Sequence, residues 1–269
     1  DFKFIFFWEW FHRFWARLMG LVFAVPFIIF LFQKRFREEM IKPLIILFLL
    51  GALQGAVGWI MVASGLDGDA IYVKPTRLAL HFIFAMGLLS YTLWFALQLL
   101  VPAEQRIIHP SLNKLTGWII AVLIIQLIYG GLMAGHKAAI FAPTWPGING
   151  SLIPEYMFRS PGGLLNLIEN KISIHFIHRL LAFLLLVVIL VWTRMALKIK
   201  AASLFSKIRK LPLILVLLQA VLGIFSVLTS IKIVPNHWGV FEWMAQLHQL
   251  TAMLLLLSLV CAAYLLKSK

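Results

Sequence analysis

The sequence predicts an all-α polytopic membrane protein, and three observations predict it. Of its 269 residues, 62% are hydrophobic and only 13% are charged, where a soluble domain carries about a quarter charged residues. Seven stretches are long enough to cross a ~30 Å hydrocarbon core as helix, which takes about 20 apolar residues. Their apolar runs are unbroken, as in Leu180–Val191, whereas a membrane β-strand would alternate polar and apolar positions.

The seven spans fall at approximately 12–32, 43–63, 76–100, 116–134, 173–197, 211–230 and 243–266. The first begins close to Asp1, with no signal peptide and no initiating methionine, so we expect a truncated or processed N-terminus. Direction follows from the basic residues in the connections. Lys34, Arg35, Arg37 and Lys42 share one connection, and Arg106 and Lys114 share the next on that side. Lys198, Lys200, Lys207, Arg209 and Lys210 lie in a third, with Lys267 and Lys269 after the last span. These are 13 of the 24 basic residues, all on alternate connections, the bias that places loops in the cytoplasm. The net charge of +14 is thus a record of topology and not of nucleic-acid binding. Cys261, the single cysteine, sits inside the last span; it can form no disulfide within the chain and serves as a packing residue.

With the first span starting outside, His12, His81, His178 and His248 fall near the outer ends of the first, third, fifth and seventh spans. They form two pairs with matching internal spacing. His12 is followed at 42 residues by Gln54-Gly-Ala-Val-Gly58 and 27 later by His81; His178 is followed at 41 by Gln219-Ala-Val-Leu-Gly223 and 29 later by His248. His12-Arg13 matches His178-Arg179, and a third relative, Gln126-Leu-Ile-Tyr-Gly130, lies on the fourth span. Gln and Gly four apart share a helix face, where a small residue admits a neighbouring helix or a flat ligand. Both copies start on the same side, so they read as tandem parallel four-helix repeats about an axis along the membrane normal. The second copy uses spans four to seven, and we expect an equivalent of the fourth span ahead of Asp1, the missing first helix of the first repeat.

A histidine inside a membrane is costly unless paired or ligated, and neutral imidazole is a standard ligand of haem iron. Two pairs at one depth fit two haem-type cofactors; zinc prefers four donors, with thiolate or carboxylate among them. Arg13, Arg17, Arg77 and Arg179 gather at the same outer ends, with Arg77 one turn outward of His81. Guanidinium forks suit carboxylates, so Arg13, Arg77 and Arg179 are candidates for haem propionates; snorkelling to lipid headgroups is the alternative, strongest for Arg17. His109 is assigned to an inner connection and His136 and His237 to outer ones, while His175, three residues before His178, shares its face. The copies differ at one place. Glu9 stands one turn before His12, where the second copy has His175. A carboxylate there can move protons in oxidation chemistry or can simply complement the helix dipole; the asymmetry points to chemistry in the first copy and electron transfer in the second. The outer loop at about 135–172 carries Pro143-Thr-Trp-Pro-Gly147, Pro154 and Pro161-Gly-Gly163. Trp145, Ile148 and Leu152 predict an ordered cap on the membrane surface.

Taken in order, Glu9-x-x-His12-Arg13, Gln54 to Gly58, His81, Gln126 to Gly135, Pro143-Thr-Trp-Pro146, His178-Arg179, Gln219 to Gly223 and His248 resemble the haem A synthase family, over essentially the whole chain. The resemblance implies eight helices in two four-helix halves: an N-terminal half over 1–100 with the substrate site, a cytoplasmic connection at 101–115, and a C-terminal half over 116–269. It implies haem b held by His178 and His248, and haem O as substrate at His12 and His81. Glu9 then takes part in oxidising the C8 methyl of haem O to a formyl group. The implied partners are haem O, the haem O synthase that makes it, an electron donor (quinol or protein) and the bilayer, with homo-oligomerisation open. The location implied is a bacterial inner membrane or its equivalent, haem sites toward the outer side. The first helix of the family lies outside this sequence, and residues 231–242 lack the cysteine pair found in part of the family. A di-haem b electron carrier linked to quinol, without haem chemistry, is the rival function; a haem transporter would need an open pathway that the level ligands do not offer.

Overall fold

A computed structural model of the chain describes residues 2–65, 72–155, 157, 162–200, 204–234 and 237–267, with side chains from residue 6 onward; Asp1, Pro161 and Lys269 lie outside the described residues. Seven long helices dominate: α1 (Phe2–Phe32), α2 (Glu38–Ala63), α3 (Pro75–Leu100), α4 (Pro110–Gly135), α5 (Lys171–Leu197), α6 (Leu211–Thr229) and α7 (Val240–Leu265). All seven are long and apolar enough to cross a membrane, and the chain is an all-α, multi-pass membrane protein.

Local chemistry sets the helix starts. Glu38 and Glu39 occupy the first turn of α2, where acidic groups complement the helix dipole. Proline opens α3 and α4, where its missing N–H costs nothing. Before α4, the His109 ring accepts from Leu112 N–H at 3.2 Å, so this histidine is an N-cap and the helix begins six residues ahead of the predicted span. Asn170 caps α5 by accepting from Ile172 and Ser173 N–H at 2.9 and 3.1 Å. The Glu242 side chain accepts from Gly239 N–H at 2.8 Å as α7 begins.

The core lies in the C-terminal part of the chain. On α4, Leu112, Thr116, Ile119, Leu123, Leu127 and Gly131 are buried, recurring every three or four residues as one helix face does. They meet Leu185, Ile189 and Trp192 of α5 and Leu255 and Leu259 of α7. Trp192 donates its indole N–H to Thr116 Oγ at 2.8 Å within that core, which satisfies a polar group that would be costly left alone in an apolar setting. At the outer end of α4, a Cβ added to Gly131 or Gly135 would lie 2.8 Å from Ala79 Cα or 2.7 Å from Pro75 Cα. Only glycine permits α3 to approach that closely. By contrast α1 packs against α2, and Phe27 is its one buried residue among those described.

Two short strands add what the hydrophobic pattern did not predict. β1 (Ile107–Ile108) pairs in parallel with β2 (Leu266–Lys267). Arg106 Nε donates to Tyr264 O at 2.9 Å and His109 N–H to Lys267 O at 3.0 Å. The segment following α7 is thereby stitched to the connection ahead of α4.

Candidate functional site

The His178 ring on α5 and the His248 ring on α7 lie with centroids 6.3 Å apart and planes at 68°. α6 and α7 pack extensively against each other, and α5 meets both α4 and α6, which brings the two histidine-bearing helices together. Each ring is addressed from the helix before its own. Gln126 on α4 places its amide nitrogen 3.4 Å from His178 Nε2, and Gln219 on α6 places its amide nitrogen 3.2 Å from His248 Nε2. The Nδ1–H of His248 donates to the Gln219 backbone carbonyl at 3.0 Å. That bond fixes the tautomer and leaves the lone pair on Nε2, which accepts from the Gln219 amide here and would turn to a metal in its place.

The pair suits a haem iron. Two metal–imidazole bonds of about 2 Å each, plus the two ring radii, span about 6 Å, and the rings stand at that separation. Among the described residues no cluster of three or more His, Cys, Asp or Glu side chains gathers to enclose a bare ion. A two-donor site calls for a cofactor that brings its own equatorial ligands, as haem does.

In the N-terminal half, the Gln54 amide on α2 lies 3.2 and 3.4 Å from Nδ1 and Nε2 of His81 and donates to the His81 carbonyl at 3.3 Å. His12 is close enough to interact electrostatically with His81, yet His12 itself is exposed on α1 while His81 is partly buried. Glu9 stands 4.0 Å from Arg13, one turn along the same helix, with much of both side chains exposed.

The arginines are used differently from one another. Arg179 donates from Nη1 to Pro146 O and Gly147 O, each at 3.1 Å, from Nη2 to Thr144 O at 2.6 Å, and from Nε to His175 Nε2 at 3.0 Å. Its guanidinium also covers the Trp145 ring, which stacks on Phe183. Four hydrogen bonds engage most of the five N–H groups that a guanidinium owns, so Arg179 is chiefly a latch for the outer loop. Arg77 Nη1 donates to Ile60 O at 3.0 Å, closing the end of α2, and the rest of its fork makes no hydrogen bond among the described residues. Sequence reasoning assigned both to propionates because loop and helix-end carbonyls carry no side-chain signature.

The outer loop is ordered over 137–155. Thr144 Oγ–H donates to Gly147 O and accepts from Asn149 N–H, both at 2.8 Å. Ile148 is buried as expected, whereas Leu152 points outward. His175 is fully buried beneath the latch, and His136 Nε2 donates to Ile168 O at 2.9 Å. The sequence marks the three glutamine–glycine faces as places where a helix or a flat ligand comes close, in register with the histidines; that the glutamines bond those rings it does not show.

The family model of the COX15-CtaA cytochrome oxidase assembly proteins matches residues 1–260. A Heme A synthase of Flavobacterium johnsoniae is 40% identical over 258 residues, covering 95% of this chain and 73% of the relative. One of Flavobacterium psychrophilum is 36% identical with the same coverage. One of a Bradyrhizobium species is 37% identical over 261 residues, 95% of this chain and 68% of the relative. No solved structure matches.

Proposed function

The chain belongs to the COX15-CtaA family of cytochrome oxidase assembly proteins, and from that premise we propose that it is an oxidoreductase that makes haem A from haem O. The observation that carries the proposal is the facing of His178 and His248 at an imidazole separation that suits one iron, in a chain whose relatives are named Heme A synthase. In this reading His178 and His248 hold a resident haem b, which supplies one-electron transfer when bound. Haem O is the substrate of the N-terminal half, received at His12 and His81, and its C8 methyl is oxidised to a formyl group. The two halves are tandem four-helix repeats, the first contributing three of its helices over 1–100, with the connection at 101–115 and the second half over 116–269.

The chain's own side chains have distinct tasks. Gln219, through its backbone carbonyl, keeps the Nε2 lone pair of His248 available. Arg179 holds the outer loop near the resident site and keeps water from it. Glu9 is the proton acceptor beside the substrate, because it is the carboxylate placed one turn from His12, and its weak pairing with Arg13 at 4.0 Å leaves it free to turn. Arg13 and the free part of the Arg77 fork meet the propionates, joined by whatever N–H Arg179 retains. Both sites lie toward the outer side in this reading, which the basic connections support. Electrons reach the haem b half from a donor, a quinol or a protein, haem O synthase supplies the substrate, and copies of the chain associate in the bilayer.

The test is to purify the protein from cells that also make haem O, extract its haems and separate B, O and A. Haem A should appear beside haem B. Haem B alone would overturn the enzyme and favour a di-haem carrier.

A further inference from the structure

Three histidines share one local construction. Gln54 and Gly58 on α2 face His81, Gln126 and Gly130 on α4 face His178, and Gln219 and Gly223 on α6 face His248. The glutamine holds the ring by its nitrogens, and the glycine four residues later lies under the ring edge. The clearances are not equal. A Cβ on Gly58 would stand 2.9 Å from His81 Cε1 and 3.3 Å from its Nδ1; one on Gly223 would stand 2.9 Å from His248 Cε1 and 3.4 Å from its Nδ1. A Cβ on Gly130 would stand 3.5 Å from His178 Cε1, an ordinary contact.

We propose that the Gln-x-x-x-Gly pairs of α2 and α6 are positioning devices that set the ring plane of His81 and of His248, and that the α4 pair sets His178 only loosely. The reasoning is mechanical. At Gly58 and Gly223 the three nearest atoms met all belong to the imidazole, so an added methyl is relieved first by moving the ring. The ring cannot move without lengthening a hydrogen bond, from the Gln54 amide at His81 and from Nδ1–H to the Gln219 carbonyl at His248, the bond that remains when Nε2 turns to iron. Ring orientation is therefore fixed from two sides, by a hydrogen bond at the nitrogen and by a missing side chain at the edge. At His178 the second side touches without pressing. The two axial ligands are consequently unequal: His248 is the rigid one and His178 the adaptable one.

The inference rests on the reading of His178 and His248 as haem ligands, and the experiment separates the two. Purified wild-type protein, Gly223→Ala, Gly130→Ala and His248→Ala are compared by haem content and by electron paramagnetic resonance of the oxidised haem, whose g-values report the mutual angle of two axial imidazole planes. Gly223→Ala should shift the largest g-value and lower haem occupancy about five-fold or more, as overpacking penalties of a kcal/mol or so require. Gly130→Ala should match the wild type in both readouts. A Gly223→Ala spectrum identical to wild type, or equal shifts in the two glycine variants, would overturn the inference. Full retention of the wild-type signal in His248→Ala would overturn the ligand reading itself and the inference with it. Should Gly223→Ala not accumulate in membranes, Gly58→Ala decides at the matching seat: a fall in extracted haem A relative to haem B against wild type supports the device, and an unchanged ratio rejects it.

Discussion

The pair His178 and His248 and the pair His12 and His81 share a spacing but not a setting. The first pair faces across 6.3 Å beside a core where α4, α5 and α7 pack closely, under a loop held by four hydrogen bonds from Arg179. In the second, His81 is held as firmly as His248, by Gln54 and by the seat at Gly58, while His12 stands exposed on a helix that packs against α2. Both rings of the first pair are half-buried, whereas the second pairs a half-buried imidazole with an exposed one. On the proposed reading the first pair keeps a resident haem and the second serves something that must enter and leave. The difference teaches that matched histidines can take separate tasks through the rigidity of what surrounds them.

The comparison breaks most readily at the ligands. His248→Ala should remove the haem b absorption band almost entirely, whereas His81→Ala should keep the band and lose haem A from the extracted haems; loss of the band in both would mean that the halves are not divided in this way. Next in size is Glu9→Ala, which should slow haem A formation about 100-fold, the low end for a positioned acid or base. Its melting temperature should stay put, because an exposed ion pair contributes about 0–1 kcal/mol. A drop in rate matched by a drop in stability would reassign Glu9 to structure.

Arg179→Leu should raise hydrogen exchange or proteolysis in residues 143–152 about ten-fold, since one hydrogen bond to a charged group contributes roughly 1.5–3 kcal/mol. Unchanged protection would show that Trp145 and Ile148 alone hold the loop.

The smallest effect concerns the contact between the segment ahead of α3 and the one after α4. The Lys137 ammonium lies 3.6 Å over the Tyr72 ring, and by hydrogen bonding and charge it draws the phenol pKa below the ordinary tyrosine value. Because the folded value is the lower one, the phenolate pairing contributes in full only above about pH 10, the unfolded value, and fades as pH falls through the folded pKa. Lys137→Met should therefore return the ultraviolet titration of Tyr72 to about pH 10 and leave stability at neutral pH unchanged. A titration that does not move would separate Tyr72 from Lys137.

Much of this architecture was legible because hydrocarbon imposes a simple rule. A run such as Leu180–Val191 can satisfy its backbone there only as helix, so span positions follow from composition, and the observed helices exceed the predicted spans by a few residues at capped ends such as His109. The four histidines stood out because ionisable groups are rare in apolar runs. Contacts to backbone carbonyls were not legible. Arg179 reads the same in sequence whether it meets a propionate or Thr144 O, and nothing in Gln126 names His178 as its partner 52 residues on. A two-residue strand such as Ile107–Ile108 has too few positions to show any period.

That strand has a consequence in time. β1 cannot close until β2 exists, and between them the ribosome must thread α4, α5, α6 and α7 into the bilayer. Throughout that interval Ile107 and Arg106 wait without their partners at Leu266 and Tyr264. That joint is thus the last to be made during biosynthesis, and a chain arrested before residue 264 would carry its histidines with the connection ahead of α4 still unfastened from the end of α7.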